Sequence, residues 1–282
     1  MEKRILCYSD FSNNAQNAID YAIKLYEQQS CVFYILNAFH ADKNASDIEA
    51  LIPEPGNKIY EEAKKSSEVG LKKIIDTLNS NSKNTKHTFK SISIFNSLLY
   101  ALKDTIKIKA INLLIIGAKS TLEIEEDKNI PTLDVLEYIT ECSILAIPGN
   151  YKFCELKKIV LPINYQEVLN KANFSEIFDI IKLHNSEINI LHIKKENHLN
   201  NSQLECKKLL ETIFKGFKFS SHTLERMNVN KGINLFIKNQ HSNLIVYTEE
   251  ISSYIGNELP RPLLKELENN LTLPVMVVNV II

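Results

Sequence analysis

Glycine is scarce in this chain, at seven of 282 residues, about 2.5% against a usual 7% or so. Because glycine lets backbone approach a phosphate closely, a nucleotide site here would be built with few of its customary residues. Arginine is scarcer still. Arg4, Arg226 and Arg261 are the only three among 33 basic residues, and 34 acidic residues balance them. Without a basic excess, or the bidentate fork that lysine cannot reproduce, nucleic-acid binding is not expected. No apolar run approaches the ~20 residues that span a bilayer, so no membrane insertion is expected either. The start, Met1 to Asp10, reaches the polar pair Ser9-Asp10 after only four apolar residues, too short for a signal-peptide core. A cytoplasmic protein is expected. The cysteines (Cys7, Cys31, Cys142, Cys154, Cys206) are odd in number and form no C-x2-C pair, which argues for reduced, mostly buried thiols rather than a disulfide framework or zinc site. The seven histidines show no H-x3-H spacing and no nucleophile motif. Neither a metal nor a catalytic residue is expected.

What is present is a globular balance, 44% hydrophobic and 24% charged, in a length that suits two domains. Comparison of the chain with itself gives the same division. Lys3 to Phe11 resembles Lys157 to Tyr165, 154 residues on. Asn112 to Ile116 resembles Asn243 to Tyr247 at 131, and the same spacing relates Pro131 to Pro262 and Ser143 to Ile147 with Pro274 to Val278. The drop from 154 to 131 puts a surplus of about 23 residues in the first half, largely over 41–57, where Pro53-Glu54-Pro55-Gly56 signals an irregular loop. The expected domains are 1–150 and 151–282.

Within each half, short apolar runs alternate with segments of helical period, the pattern of a parallel sheet with crossover helices. The fold class is α/β. Strands are expected over 3–8, 32–38, 88–94, 112–117 and 143–148, then 157–162, 187–193, 217–224, 243–247 and 274–280. Helices are expected over 13–28, 58–79, 97–109 and 131–141, then 167–183, 202–214, 230–240 and 262–270. Ala15, Ala18, Ile19, Ala22 and Ile23 form a stripe suited to close packing of the first helix on the sheet. The closing strands of the two halves, 143–148 and 274–280, are apolar and are expected to pair with each other, since unpaired apolar edges invite aggregation.

These residues resemble the universal stress proteins in their tandem two-domain form. The resemblance rests on Ile5-Leu6-Cys7-Tyr8-Ser9-Asp10-Phe11-Ser12, on the pairs Leu36-Asn37 and Leu191-His192, on Leu113-Leu114-Ile115-Ile116-Gly117, and on Leu273 to Val278. It implies two tandem Rossmann-like domains, each a five-stranded, mainly parallel sheet flanked by helices. Members that bind adenine nucleotide look alike in a signature after the fourth strand, G-x2-G-x9-G-[ST]. Here Gly117 is followed by Ser120 and Ile130-Pro131, and the second half has Thr248, Ile251, Arg261 and Pro262. One glycine of six remains. Proline has no N–H to offer an anion at a helix start, although it begins a helix well.

The resemblance implies that any nucleotide would lie by Asp10, by the end of the second strand at Asn37 and Phe39, and by the loop from Gly117 to Ser120, with Lys119 adding charge. For Asp10, a helix N-cap is the other reading, which it shares with Ser12. The acidic run Glu123, Glu125, Glu126 and Asp127 follows the same loop and repels phosphate unless a divalent cation intervenes. The leading expectation is therefore a non-enzymatic tandem universal stress-like protein with a degenerate nucleotide signature and no cofactor, acting through contacts with an unidentified protein partner or as a stress-response accessory. The alternative is an ATP-binding module in the first domain. An ATP-consuming enzyme lacks its P-loop here. Pairing of the domains within the chain leaves a homodimer open.

Overall fold

The computed structural model describes residues 2–39, 55–56, 58–81, 84–118, 135–136, 138–166, 169–194, 199–225, 228–248 and 272–278. The first half runs β1 (Lys3–Tyr8), α1 (Asn13–Leu25), β2 (Cys31–Phe39), α2 (Lys58–Asn81), β3 (His87–Phe95), α3 (Leu98–Lys109), β4 (Leu113–Ala118) and β5 (Ser143–Pro148). The second runs β6 (Lys158–Pro162), a 3-10 turn (Lys171–Phe174), α4 (Ser175–His184), β7 (Glu187–Lys194), α5 (Asn201–Ile213), β8 (Phe219–Glu225), α6 (Val229–Gln240), β9 (Leu244–Thr248) and β10 (Val275–Val278). The protein is α/β, as its alternating pattern indicates.

All ten strands form one sheet in the order β3-β2-β1-β4-β5-β10-β9-β6-β7-β8. The second half repeats the order of the first in reverse. Every neighbouring pair is parallel except β5 and β10, which meet antiparallel with Val275 opposite Ala146, Met276 opposite Leu145 and Val277 opposite Ile144. Helices cover both faces of the sheet, so the central strands read as continuous apolar runs rather than alternating ones. Ile5, Leu6, Cys7 and Leu113 through Ile116 have no exposed surface. On one face, β-strand side chains pack with α1, α2, α4 and α5. On the other they pack with α3, α6 and Val135, Leu136 and Ile139.

Local chemistry sets the helix ends. Ser12 caps α1, its hydroxyl accepting from Ala15 N. Asn200 and Gln203 form a reciprocal capping box on α5, and Asn228 caps α6. The shortage of glycine shows at the other ends: Ala110, Asn185 and His241 take left-handed φ of 49°, 51° and 53° where α3, α4 and α6 stop, positions that glycine occupies most readily. The second half's first helix departs from the expected 167–183. Asn170 closes a capping box on a 3-10 turn, and α4 begins only at Ser175. Of the helix expected over 131–141, Val135, Leu136 and Tyr138 are helical. The one over 262–270 lies outside the described residues. In α1 the buried stripe is Ala15, Asn17, Ala18, Ile19, Tyr21, Ala22 and Leu25, while Ile23 is only half-buried.

Side chains also tie the halves together. Lys3 is 5% exposed, and its ammonium lies 2.9 Å from Glu176 Oε2 and 2.6 Å from Asp179 Oδ2 on α4. Burial alone lowers the Lys3 pKa, but the two carboxylates outweigh it and leave it above its ordinary value. Burial raises that of Glu176 more than Lys3 lowers it. Asn17 donates to the carbonyls of Pro148 and Tyr151 and accepts from Lys152.

Candidate functional site at the carboxyl edge of the sheet

In an open α/β sheet, ligands bind outside the carboxyl ends of the strands where the strand order reverses. That point falls between β1 and β4 in the first half and between β6 and β9 in the second. After β1 the backbone turns sharply at Phe11, whose φ is 67°. Ser9 N donates to Leu36 O at 2.8 Å, and Asn37 Nδ2 donates to Ser9 O at 2.8 Å. Phe11 N donates to Ser9 Oγ, and Ser12 N to Asp10 Oδ1 at 3.0 Å. Ser12, not Asp10, is thus the cap of α1. The Asp10 carboxylate holds the turn that leads into the cap and, after burial, helps push the Tyr8 phenol up to about 12.

The second half rebuilds this turn with other residues. Ile163 N donates to Leu191 O at 2.8 Å, Gln166 N donates to Asn164 Oδ1 at 3.0 Å, and Tyr165 has φ 59°. His192 Nδ1 lies 2.9 Å from Ile163 O. A carbonyl only accepts, so Nδ1 carries the proton. Asn37 and His192 therefore hold equivalent carbonyls, which accounts for the Leu-Asn and Leu-His pairs matched in the sequence.

The two crevices differ in what fills them. Phe11 is 42% exposed, and its ring lies so near α2 that a Cβ on Gly70 would come within 2.6 Å of it. Beside it a cavity of about 390 Å³ opens between α1 and α2, lined by Ser9, Ser12, Gln16, Lys73 and Thr77. Tyr165, at the matching position, is buried against Ile163, Leu169, Cys206 and Leu210. Its ring lies 5.0 Å from that of His192. Burial, then Glu211, pushes the Tyr165 phenol well above its ordinary value.

Gly117 has a structural use. A Cβ there would stand 2.6 Å from Asn14 O and 3.0 Å from Ala15 N, backbone that the first turn of α1 cannot move aside. Gly149, just past β5, lies under the Asn14 side chain in the same way, and a Cβ there would stand 1.9 Å from Oδ1. In the second half a helical turn starts seven residues after Asn164, at Lys171, rather than three after Asp10, at Asn13. There the position of Gly117 is taken by Thr248, 2% exposed.

Of the residues singled out in the sequence, Asn37 holds Ser9 O, Asp10 next to it accepts from Ser12 N, and Gly117 meets Asn14. Phe39 stands apart, itself buried, with the rings of half-buried Tyr60 and exposed Phe95 at centroid distances of 5.8 and 5.5 Å. Ser120 lies outside the described residues, as do Lys119, Ile130, Pro131, Arg261 and Pro262. Sequence reasoning missed Asn14 and the filling role of Tyr165. The alignment of Tyr165 with Phe11 was its only trace. Among the described residues no group of three or more His, Cys, Asp or Glu stands together to hold a metal, and no helix is long and apolar enough to cross a membrane.

This architecture, two five-stranded Rossmann-like halves of reversed strand order joined through their last strands, is a fold found among universal stress proteins. A universal stress protein from Archaeoglobus fulgidus DSM 4304 superimposes with a TM-score of 0.71 at 12% identity, over 98% of each chain. A putative universal stress protein from Pseudomonas aeruginosa UCBPP-PA14 gives 0.57 at 11% identity, over 99% of this chain and 93% of that one. A functionally unknown protein from Pseudomonas aeruginosa PAO1 gives 0.56 at 12%, over 99% and 92%. No protein-family model and no curated protein sequence matches the chain.

Proposed function

We propose that this chain is a tandem universal stress-like protein of the cytoplasm that acts in stress response by binding a protein partner, without catalysis and without an adenine nucleotide. The observation that carries this reading is the use the chain makes of Gly117. The one signature glycine left is occupied by the protein's own backbone, with Asn14 O 2.6 Å from where a Cβ would stand, so its presence needs no phosphate to explain it. The buried Tyr165 supports the same reading for the second half. A second reading, ATP held in the first half, is favoured by the open 390 Å³ cavity beside Ser9 and Ser12.

Calorimetric titration of nucleotide-stripped protein with ATP-Mg separates them. No heat of binding at micromolar ligand is expected from the parent chain. Binding at that level, abolished by Asp10→Asn with melting unchanged, would establish the second reading instead, and release of ADP or phosphate over hours would refute the absence of catalysis. Restoring the signature in the first half with Ser120→Gly, Ile130→Gly and Pro131→Ser is expected to recover measurable affinity, at about 1.5–3 kcal/mol for each N–H contact regained.

A further inference from the structure

We propose that the outer edge of β3 is a self-association surface, on which a second copy of this chain adds its own β3 antiparallel and extends the sheet across a two-fold axis. The ladder defines which groups are available. Cys31 N donates to Lys86 O, and Asn96 N donates to Phe39 O, which in a parallel pair assigns the even-numbered residues of β3 to β2. Phe89, Ser91, Ser93 and Phe95 consequently turn their N–H and C=O groups away from the sheet. Among the described residues no strand pairs with them; β2 is the only neighbour of β3. The strand is nine residues long and has no proline, no bulge in its register and one charged side chain, Lys90. Proline, a bulge and charged side chains all blunt an edge, and of these three β3 has only Lys90.

The occupant is read from self-complementarity. With the axis at Ile92, Phe89 faces Phe95 of the second copy, Ser91 faces Ser93, Lys90 faces Ile94, and Ile92 faces itself. All four outward residues then sit in hydrogen-bonded pairs, aromatic opposite aromatic and hydroxyl opposite hydroxyl, with no like charges opposed. Above β3 lies α2, joined to it by Ser67 Oγ and Ser93 Oγ at 2.7 Å. Its flank opposite α1 carries Glu61, Lys64, Glu68 and Lys72 at spacings of three and four, the pattern of one helix face. Read antiparallel, that row meets opposite charges throughout. The edge at β8 offers less. It is seven residues long, it ends in Glu225, and pairing about its middle would set His222 against its own copy.

Sedimentation velocity of the full chain at micromolar concentration is expected to give twice the chain mass. Ser91→Pro removes an outward N–H and leaves the β2 ladder intact, so it is expected to weaken the dimer by roughly tenfold or more. Ser221→Pro on β8 is expected to leave it unchanged. A covalent readout stands even where Ser91→Pro misfolds. Ile92 would be a non-hydrogen-bonded pair at the axis, with a Cα separation of about 4.5 Å, within disulfide reach. In a Cys154→Ser background, which removes the exposed thiol, Ile92→Cys is expected to oxidise to a dimer. A parent chain that sediments as a monomer overturns the proposal and leaves the edge to a strand of another protein. A dimer that survives Ser91→Pro and does not cross-link at position 92 overturns it as well.

Discussion

The ammonium of Lys3 stands 2.6 Å from Oδ2 of Asp179, and so joins the first strand of one half to a helix of the other. Replacing it with methionine leaves Glu176, itself 8% exposed, without its counter-charge. Loss of one partner of a buried pair costs more than the pair contributes, so Lys3→Met is expected to destabilise the fold by about 3 kcal/mol near neutral pH. The folded-state pKa of Glu176 is already raised, and higher still without Lys3. Its protonation removes the penalty, so the deficit should be smaller in acid than at neutral pH. Urea denaturation at both pH values checks this. An equal deficit at both would mean that Lys3 acts through packing alone.

Gly117 and Gly149 both lie under Asn14 but touch different parts of it. Gly117→Ala meets backbone and is expected to cost about 1–3 kcal/mol. Gly149→Ala meets the far end of a side chain, and Asn14→Ala should rescue it. Asn14→Ala should not rescue Gly117→Ala. A double-mutant cycle by thermal denaturation distinguishes the two.

Ser12→Ala removes the cap of α1 and is expected to cost about 1 kcal/mol. Asp10→Asn keeps the oxygen that accepts from Ser12 N and should be nearly silent. If chemical denaturation ranked the two variants the other way, Asp10 would have a role beyond the turn.

Ala110 holds a left-handed conformation at the end of α3, which disfavours any residue with a Cβ. Ala110→Gly should raise stability by about 1 kcal/mol. The measurement is the shift in urea midpoint, and an unchanged or lowered midpoint would show that the strain is relieved elsewhere.

Burial pushes the thiols of Cys31 and Cys142 up to about 12 from 9.0, and burial with Asp10 pushes the Tyr8 phenol to about 12 from 10.0. In each case the folded chain keeps a proton that the unfolded chain gives up. Their contribution to stability is complete below about pH 9 and is lost as pH rises towards the folded values. Lys3 adds to the same trend above 10.5. The melting temperature should therefore hold from neutrality to about pH 9 and then fall steeply. Conversion of Cys142 to alanine should reduce that slope.

The ten strands and most of the helices among the described residues are legible in the chain, together with their order. Apolar runs such as Leu113 to Ile116 alternate with helical stretches such as Asn13 to Leu25, and their recurrence at 154 and 131 residues shows two copies of one plan. Strand length and burial follow from residue types within a few positions, so this much is local. The meaning of single residues was not. In the sequence Gly117 reads as the remnant of a phosphate loop, whereas in the fold it packs against the backbone of Asn14, 103 positions earlier. Asp10 and Ser12 were equal candidates for a cap until hydrogen bonds assigned the cap to Ser12. Phe11 and Tyr165 align and share a left-handed φ, yet one is 42% exposed and the other 3%, because Cys206 and Leu210, on a helix more than 35 residues away, join the local Ile163 and Leu169 in covering Tyr165. Contacts across such separations leave no period in the chain, and only the tertiary structure decides them.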